Sequence, residues 1–324
     1  MNTTNITKRL FVAALLLTGY AEAPAQDAYP SRTIKIIVPL APGGAADVVP
    51  RVIADKLARR WGRPVIIENR PGASNNVGAE VAAKAEPDGY TLLATPPPPL
   101  VINRSLYPKL GYDPNAFVPV AVIASLPNVL VVGSKPQFST LGGLLAFAKA
   151  NPDKLSYASP GGGSSPHLAM EWLKTLAGVR MTHVPYNGLA PAMSNVVAGH
   201  VDLMFGNTFT VLPLIRSGKL RALGVDSAKR IVEFPDLPTI SETFPGYVVT
   251  TWFAIVAPPR TPPEIAAKLS AAIADALREP DVVKTLRDLS AVPVGSSPAE
   301  TAAFIKRESD RWHQVIASAG IRPE

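Results

Sequence analysis

Cysteine is absent from all 324 residues. That excludes disulfides and thiolate metal sites, so an exported form of the chain must be held by packing alone. Histidine is scarce, and His167, His183, His200 and His313 form no i,i+4 pair of the kind a helical zinc site uses. The dinucleotide fingerprint G-x-G-x-x-G is missing, as are a glycine loop closed by Gly-Lys-Ser/Thr and the nucleophile elbow G-x-S-x-G. The net charge is +7, yet Lys and Arg stand singly or in pairs such as Arg59-Arg60 and Lys229-Arg230. Without a basic run or interleaved aromatics there is no footprint for nucleic acid, and none is expected as a partner.

The N-terminus has an export pattern. Lys8 and Arg9 precede an apolar run from Leu10 to Thr18, and Ala23-Pro24-Ala25 supplies a small-residue cleavage site. The run is too short to span a bilayer, which needs about 20 apolar residues. A signal peptide over residues 1–25 is expected, with the mature chain starting at Gln26 and working as a periplasmic protein. Proline, with 34 residues, is abundant between apolar segments (Pro39, Pro42, Pro64, Pro71, Pro87, Pro96 to Pro99) and predicts short, stiff loops.

Short β-branched runs alternate with amphipathic segments along the mature chain. Ile34 to Val38, Val65 to Glu68 and Tyr90 to Thr95 read as buried strands, with helices over Ala45 to Trp61 and Val77 to Lys84. A second series runs from Val118 to Val225, followed by a strand over Thr251 to Ala257 and three closing helices. This alternation predicts an α/β protein whose mostly parallel sheets are covered by helices. A chain that leaves one lobe, builds another and returns crosses twice, near Ser125 to Pro127 and near Val248 to Thr250. The expected lobes are 26–126 with 248–324, and 127–247.

Two glycine turns follow strands and open onto helices. In Pro42-Gly43-Gly44-Ala45-Ala46-Asp47 the paired glycines expose N–H groups. In the turn before His167, Gly162, Gly163, Ser164 and Ser165 offer N–H donors and hydroxyls. A helix N-terminus carries about half a positive charge, so two such turns on separate lobes point to a shared anionic ligand. Either turn could instead be a tight connection, with Ser164 or Ser165 as a helix cap. Thr95 and Pro96 follow a strand's carboxyl end, where ligands of open sheets sit. Tyr186, Asn207 and Thr208 occupy similar positions. Phe205, Phe209 and Trp252 at strand ends suggest an aliphatic or aromatic ligand body. A Ser165–His167 hydrolase remains an alternative, although two-residue spacing at a helix start rarely aligns such a pair.

Several segments together resemble the substrate-binding receptors of tripartite tricarboxylate transporters, the Bug receptors. They include Pro30-Ser31-Arg32, Glu68-Asn69-Arg70-Pro71-Gly72, Pro87-Asp88-Gly89-Tyr90, Ser165-Pro166-His167, His183-Val184-Pro185-Tyr186 and Gly218-Lys219-Leu220-Arg221-Ala222-Leu223. The resemblance implies a two-lobed periplasmic-binding-protein clamshell that closes on a small organic carboxylate and delivers it to a two-component membrane permease. A monomer that uses no cofactor or metal is expected, and a co-receptor that senses the ligand for a signalling partner stays open. In that family the loops matching Pro42 to Asp47 and Gly161 to His167 hold one carboxylate. The chain departs from the pattern at Gly206-Asn207, where Asp-Asn is frequent, and at the tetraproline, which replaces a Gly/Ser/Thr-rich loop.

Overall fold

In chain order the protein forms β1 (Ile34–Val38), α1 (Ala45–Trp61), β2 (Val65–Asn69), α2 (Asn76–Ala83), β3 (Thr91–Thr95), the short α3 (Asn103–Leu106) and β4 (Val118–Leu126). Next come β5 (Asn128–Gly133), α4 (Leu141–Ala150), β6 (Ser156–Ser159), α5 (Ser165–Ala177), β7 (Thr182–Pro185), α6 (Leu189–Ala198), β8 (Leu203–Asn207), α7 (Thr208–Arg216) and β9 (Leu220–Val225). The chain closes with β10 (Thr251–Ala257), α8 (Pro263–Ala276), α9 (Pro280–Asp288), β11 (Val292–Pro293) and α10 (Pro298–Ala319). The computed structural model describes residues 29–133 and 138–321, so the expected signal peptide lies outside the described residues.

The strands make two sheets, ordered β11-β4-β10-β3-β1-β2 and β7-β6-β8-β5-β9. In each, the three strands joined through helices are parallel: β1 pairs with β2 and β3, and β6 with β7 and β8. The rest of each sheet is antiparallel, which corrects the expectation of mostly parallel sheets. The reason lies in the crossovers. β4 and β5 are separated by a single residue, Pro127, and each enters its own sheet without a covering helix, as antiparallel pairing permits. Proline has no N–H to give a ladder, so pairing stops there and the chain changes sheet. β10 brings the chain back into the first sheet beside β4. The two-residue β11 has no apolar run to announce it.

Ile36, Ile37, Leu92, Leu93, Val129, Leu130, Phe205 and Ile255 are almost wholly buried, as central strands covered on both faces require. α10 touches β4, the turn at 98–102 and α5, so it lies against elements attached to both sheets. Its start is closed by a capping box, in which Ser297 Oγ accepts from the Glu300 N–H and the Glu300 carboxylate accepts from the Ser297 N–H.

Candidate functional site

A cavity of about 1110 Å³ collects the loops at the carboxyl ends of β1, β2, β3, β6, β7 and β8. Five helices begin at its wall: α1 at Gly44, α2 at Asn75, α5 at Ser164, α6 at Gly188 and α7 at Asn207. None of the five has a side chain capping its first turn. Of the helices that start elsewhere, α4 and α10 are capped by Thr140 and Ser297, while α3, α8 and α9 likewise have no side-chain cap. The Asn76 N–H of α2 goes to the Ala73 carbonyl and the Thr208 N–H of α7 to the Pro127 carbonyl, so it is the starts of α1, α5 and α6 that turn open N–H groups and positive dipole ends to this space. Among the described residues, no Lys, Arg, Asp or Glu lines it.

Of the residues expected from sequence, Gly43, Gly44, Ala45, Pro96, Gly162, Gly163, Ser164, Ser165, Tyr186 and Asn207 line the cavity. Pro42, Asp47, Thr95, His167 and Thr208 do not. Four of these five are spent holding the lining in place. Asp47 is buried and accepts from Arg51 Nε and Nη2 (both 2.9 Å), Asn69 Nδ2 (2.8 Å) and the Gly43 N–H (3.0 Å). Burial alone would raise its pKa, but these donors outweigh burial and hold the carboxyl below its ordinary range. The stability so gained is present above the unfolded-state carboxylate pKa and is lost as pH falls through the depressed value. Asp47→Ala is expected to cost roughly 1–3 kcal/mol at neutral pH and to flatten the acid limb of a Tm-against-pH profile. An unchanged acid limb would contradict the brace.

Thr95 Oγ1 lies 3.1 Å from the Pro96 carbonyl, and Thr208 donates its hydroxyl (2.9 Å) and N–H (3.1 Å) to Pro127 at the crossover. His167 lies under the second glycine turn and accepts the Gly163 N–H at Nδ1 (3.0 Å). Its ring stacks on His183 at 4.1 Å, and His183 stacks on Tyr157 at 4.8 Å. Burial lowers His167 to about 3 and His183 to about 4, so both are neutral near pH 7. Ser164 does not cap α5. Its hydroxyl turns back to the Gly161 carbonyl (2.7 Å), which closes the turn and leaves the helix start open. At Gly163, φ is +70° and an added Cβ would stand 2.6 Å from Leu106 Cδ1, so only glycine suits this approach between a second-sheet turn and α3.

Sequence reasoning missed the segment Ala73-Ser74-Asn75, which lines the cavity with three consecutive left-handed residues (φ 46°, 50° and 74°). Asn75 Nδ2 donates to the Pro39 carbonyl (2.7 Å), Asn103 Nδ2 to the Ser74 carbonyl (2.9 Å) and Tyr107 to Ser74 Oγ (2.7 Å). Such a backbone persists where neighbours over-determine it, and the local signal was the Gly-Ala-Ser-Asn-Asn composition after Pro71. Of the three aromatics expected at the ligand, Phe209 lines the cavity, while Phe205 and Trp252 are core residues. Phe253 takes the place of Trp252 because successive strand residues face opposite sides. At the tetraproline, Pro96 and Pro98 reach the wall, and Pro99 offers its carbonyl to Tyr112 (3.1 Å).

Where the crossovers meet the cavity lies a buried polar group. Asp226 accepts from the Asn128 N–H (2.8 Å) and from Asn128 Nδ2 (2.6 Å), and Asn207 Nδ2 donates to Asn128 Oδ1 (2.6 Å). Burial pushes Asp226 up to about 7 against those donors. Between the unfolded-state value near 4 and that pH, the folded protein holds a proton the unfolded chain releases. Stability from this group therefore falls as pH rises from about 4 to 7. Asp226→Asn is expected to remove that slope in denaturant titrations at pH 5 and 7.5, and an unchanged slope would sink the assignment.

Residues 49–321 match the model of the tripartite tricarboxylate transporter family receptor. The chain belongs to this family. The receptor is 37% identical to protein BugT of Bordetella pertussis over 323 residues, covering 98% of this chain and 99% of BugT. Among solved structures it is similar to R. palustris Rpa4515 with adipate, with TM-score 0.83, 37% identity, and 91% of this chain and 100% of that one covered. MatC (Rpa3494) from Rhodopseudomonas palustris with bound malate superposes with TM-score 0.78 at 34% identity, covering 89% of this chain and 100% of that one. The receptor thus has the two-lobed periplasmic-binding-protein fold, and as a solute receptor it is not an enzyme. Ser165 lines the cavity, and His167 accepts the Gly163 N–H behind the turn.

Proposed function

We propose that the receptor binds a small organic carboxylate between its lobes in the periplasm and delivers it to the membrane permease of a tripartite tricarboxylate transporter. The observation that carries this reading is the convergence of five helix starts, those of α1, α5 and α6 with open N–H groups, on a cavity lined by no charged side chain among the described residues. A carboxylate there is met by N–H groups and hydroxyls, which act strongly on an anion shielded from water. Adipate and malate in the similar structures support the ligand class. The lobes are taken as 26–126 with 248–324, and 127–247, which agrees with the sheet to which each strand belongs. Removal of residues 1–25 on export and a monomeric receptor complete the reading.

A thermal-shift screen of the chain from Gln26 tests it, using mono-, di- and tricarboxylates with neutral esters of the same skeletons. A ligand that binds only the native state raises the apparent Tm by mass action. A shift with one class of acids and none with their esters is expected; equal shifts with acid and ester would contradict anion recognition.

A further inference from the structure

At Asn207 the cavity wall has a hydrogen-bonding sense set from outside the cavity. Asn128, the first residue after the Pro127 crossover, is wholly buried, as is Asp226 just past β9. An ionised carboxylate only accepts hydrogen bonds, and Asp226 takes both the N–H and the Nδ2 of Asn128. The Asn128 amide therefore turns its Oδ1 the other way, toward Asn207. Asn207 must answer with Nδ2 (2.6 Å), which leaves its Oδ1 with no protein donor among the described residues. Asn207 is only partly buried and lines the cavity. Thr251 lies 3.3 Å from Asn128 Nδ2 and 3.4 Å from Oδ1. Its hydroxyl rotates to serve either sense, so the amides alone set the direction.

We propose that Asp226 is a positioning residue which, through Asn128, holds the Asn207 carbonyl toward the cavity as an acceptor, and so selects ligands whose second end carries a hydrogen-bond donor, an ammonium or hydroxyl, over a second carboxylate. This rests on the carboxylate reading above and adds the chemistry of the other end of the ligand. A ligand carboxylate opposite the Asn207 oxygen would face an acceptor, and such mispairing in a closed site is costly. In Asp226→Asn the new amide donates where Oδ2 accepted. Asn128 then reverses, Asn207 reverses after it, and the cavity gains an N–H donor in place of the carbonyl.

Three groups in the surroundings of Asp226 carry or gain charge. Arg311 of α10 favours its ionised form, Glu308 pairs with Arg311, and Tyr247 is wholly buried, its hydroxyl pushed well above its ordinary pKa. Measurements at pH 8 keep Asp226 ionised.

The test uses the chain from Gln26 and matched pairs of four to eight carbons, each an ω-amino acid and the dicarboxylate of equal length, such as 6-aminohexanoate and adipate. Plain monocarboxylates of the same lengths form a third series, and affinities are read by titration calorimetry. For wild type, the ω-amino acid is expected to bind at least about tenfold tighter than its dicarboxylate at the length that fits best. Asp226→Asn should reverse that order, and Asn207→Ala should bring the ratio toward one. A wild-type ratio at or below one, or a ratio that Asp226→Asn leaves unchanged while circular dichroism shows it folded, overturns the inference and leaves the carboxylate reading standing. Failure of all three series to bind overturns both.

Discussion

Gly44→Leu is expected to abolish ligand binding while leaving the receptor folded. Gly44 has φ −87° and ψ 171°, an extended conformation open to any residue, and an added Cβ meets nothing within 4 Å. The new side chain therefore projects into the cavity that Gly44 lines rather than into protein. Its cost to the fold is the small difference between glycine and an apolar residue at a helix start, on the order of 1 kcal/mol or less, or about 2–4 °C in Tm for a chain of this size. Its cost to binding is the loss of close approach to the start of α1, and at least a hundredfold weakening is expected, roughly 2.7 kcal/mol. Calorimetry with the best acid from the screen, beside thermal unfolding, separates the two effects. Undiminished affinity would place the ligand away from the first glycine turn.

Trp252→Ala should do the reverse, removing stability while sparing recognition. The Trp252 ring is 1% exposed, meets Phe304 edge-on at 5.1 Å, and donates Nε1 to Glu308 Oε2 (3.2 Å). Truncation opens a cavity the size of an indole in the layer that ties β10 to α10, a change that typically costs about 3–5 kcal/mol. It also withdraws a donor from a buried carboxylate whose pKa burial already raises. Urea unfolding should show the loss as a lower midpoint. At low temperature, where the variant is still folded, its ligand affinity should stay within about threefold of wild type. A large affinity loss with an unmoved midpoint would return Trp252 to the ligand wall.

Much of this architecture was legible because its causes are local. Apolar runs ending in Pro/Gly turns marked β1 and β3, and the second glycine turn marked the short β6 before it; both glycine turns could be read as cavity lining because backbone exposure is a property of glycine itself. Proline at position 127 marked the first crossover for an equally local reason, since it stops a ladder. Strand direction was not local. β4, β5 and β10 have the same apolar character as the parallel strands, and only the path between sheets makes them antiparallel.

Side-chain roles divided along the same line. Asp47, Thr95, His167 and Thr208 stand in the right loops, and a polar residue in a loop can face a ligand or brace the loop from behind. That choice is made by partners distant in sequence, such as Asn69 for Asp47 and Pro127 for Thr208. The left-handed run at Ala73 to Asn75 is likewise held by Pro39, Asn103 and Tyr107, none of them adjacent. By itself the sequence determined the family and the two-lobed fold class, both of which depend on short segments. The tertiary structure alone decided which polar groups reach the cavity and which way the Asn207 amide faces, because a hydrogen-bond direction belongs to the whole connected chain from Asp226 onward.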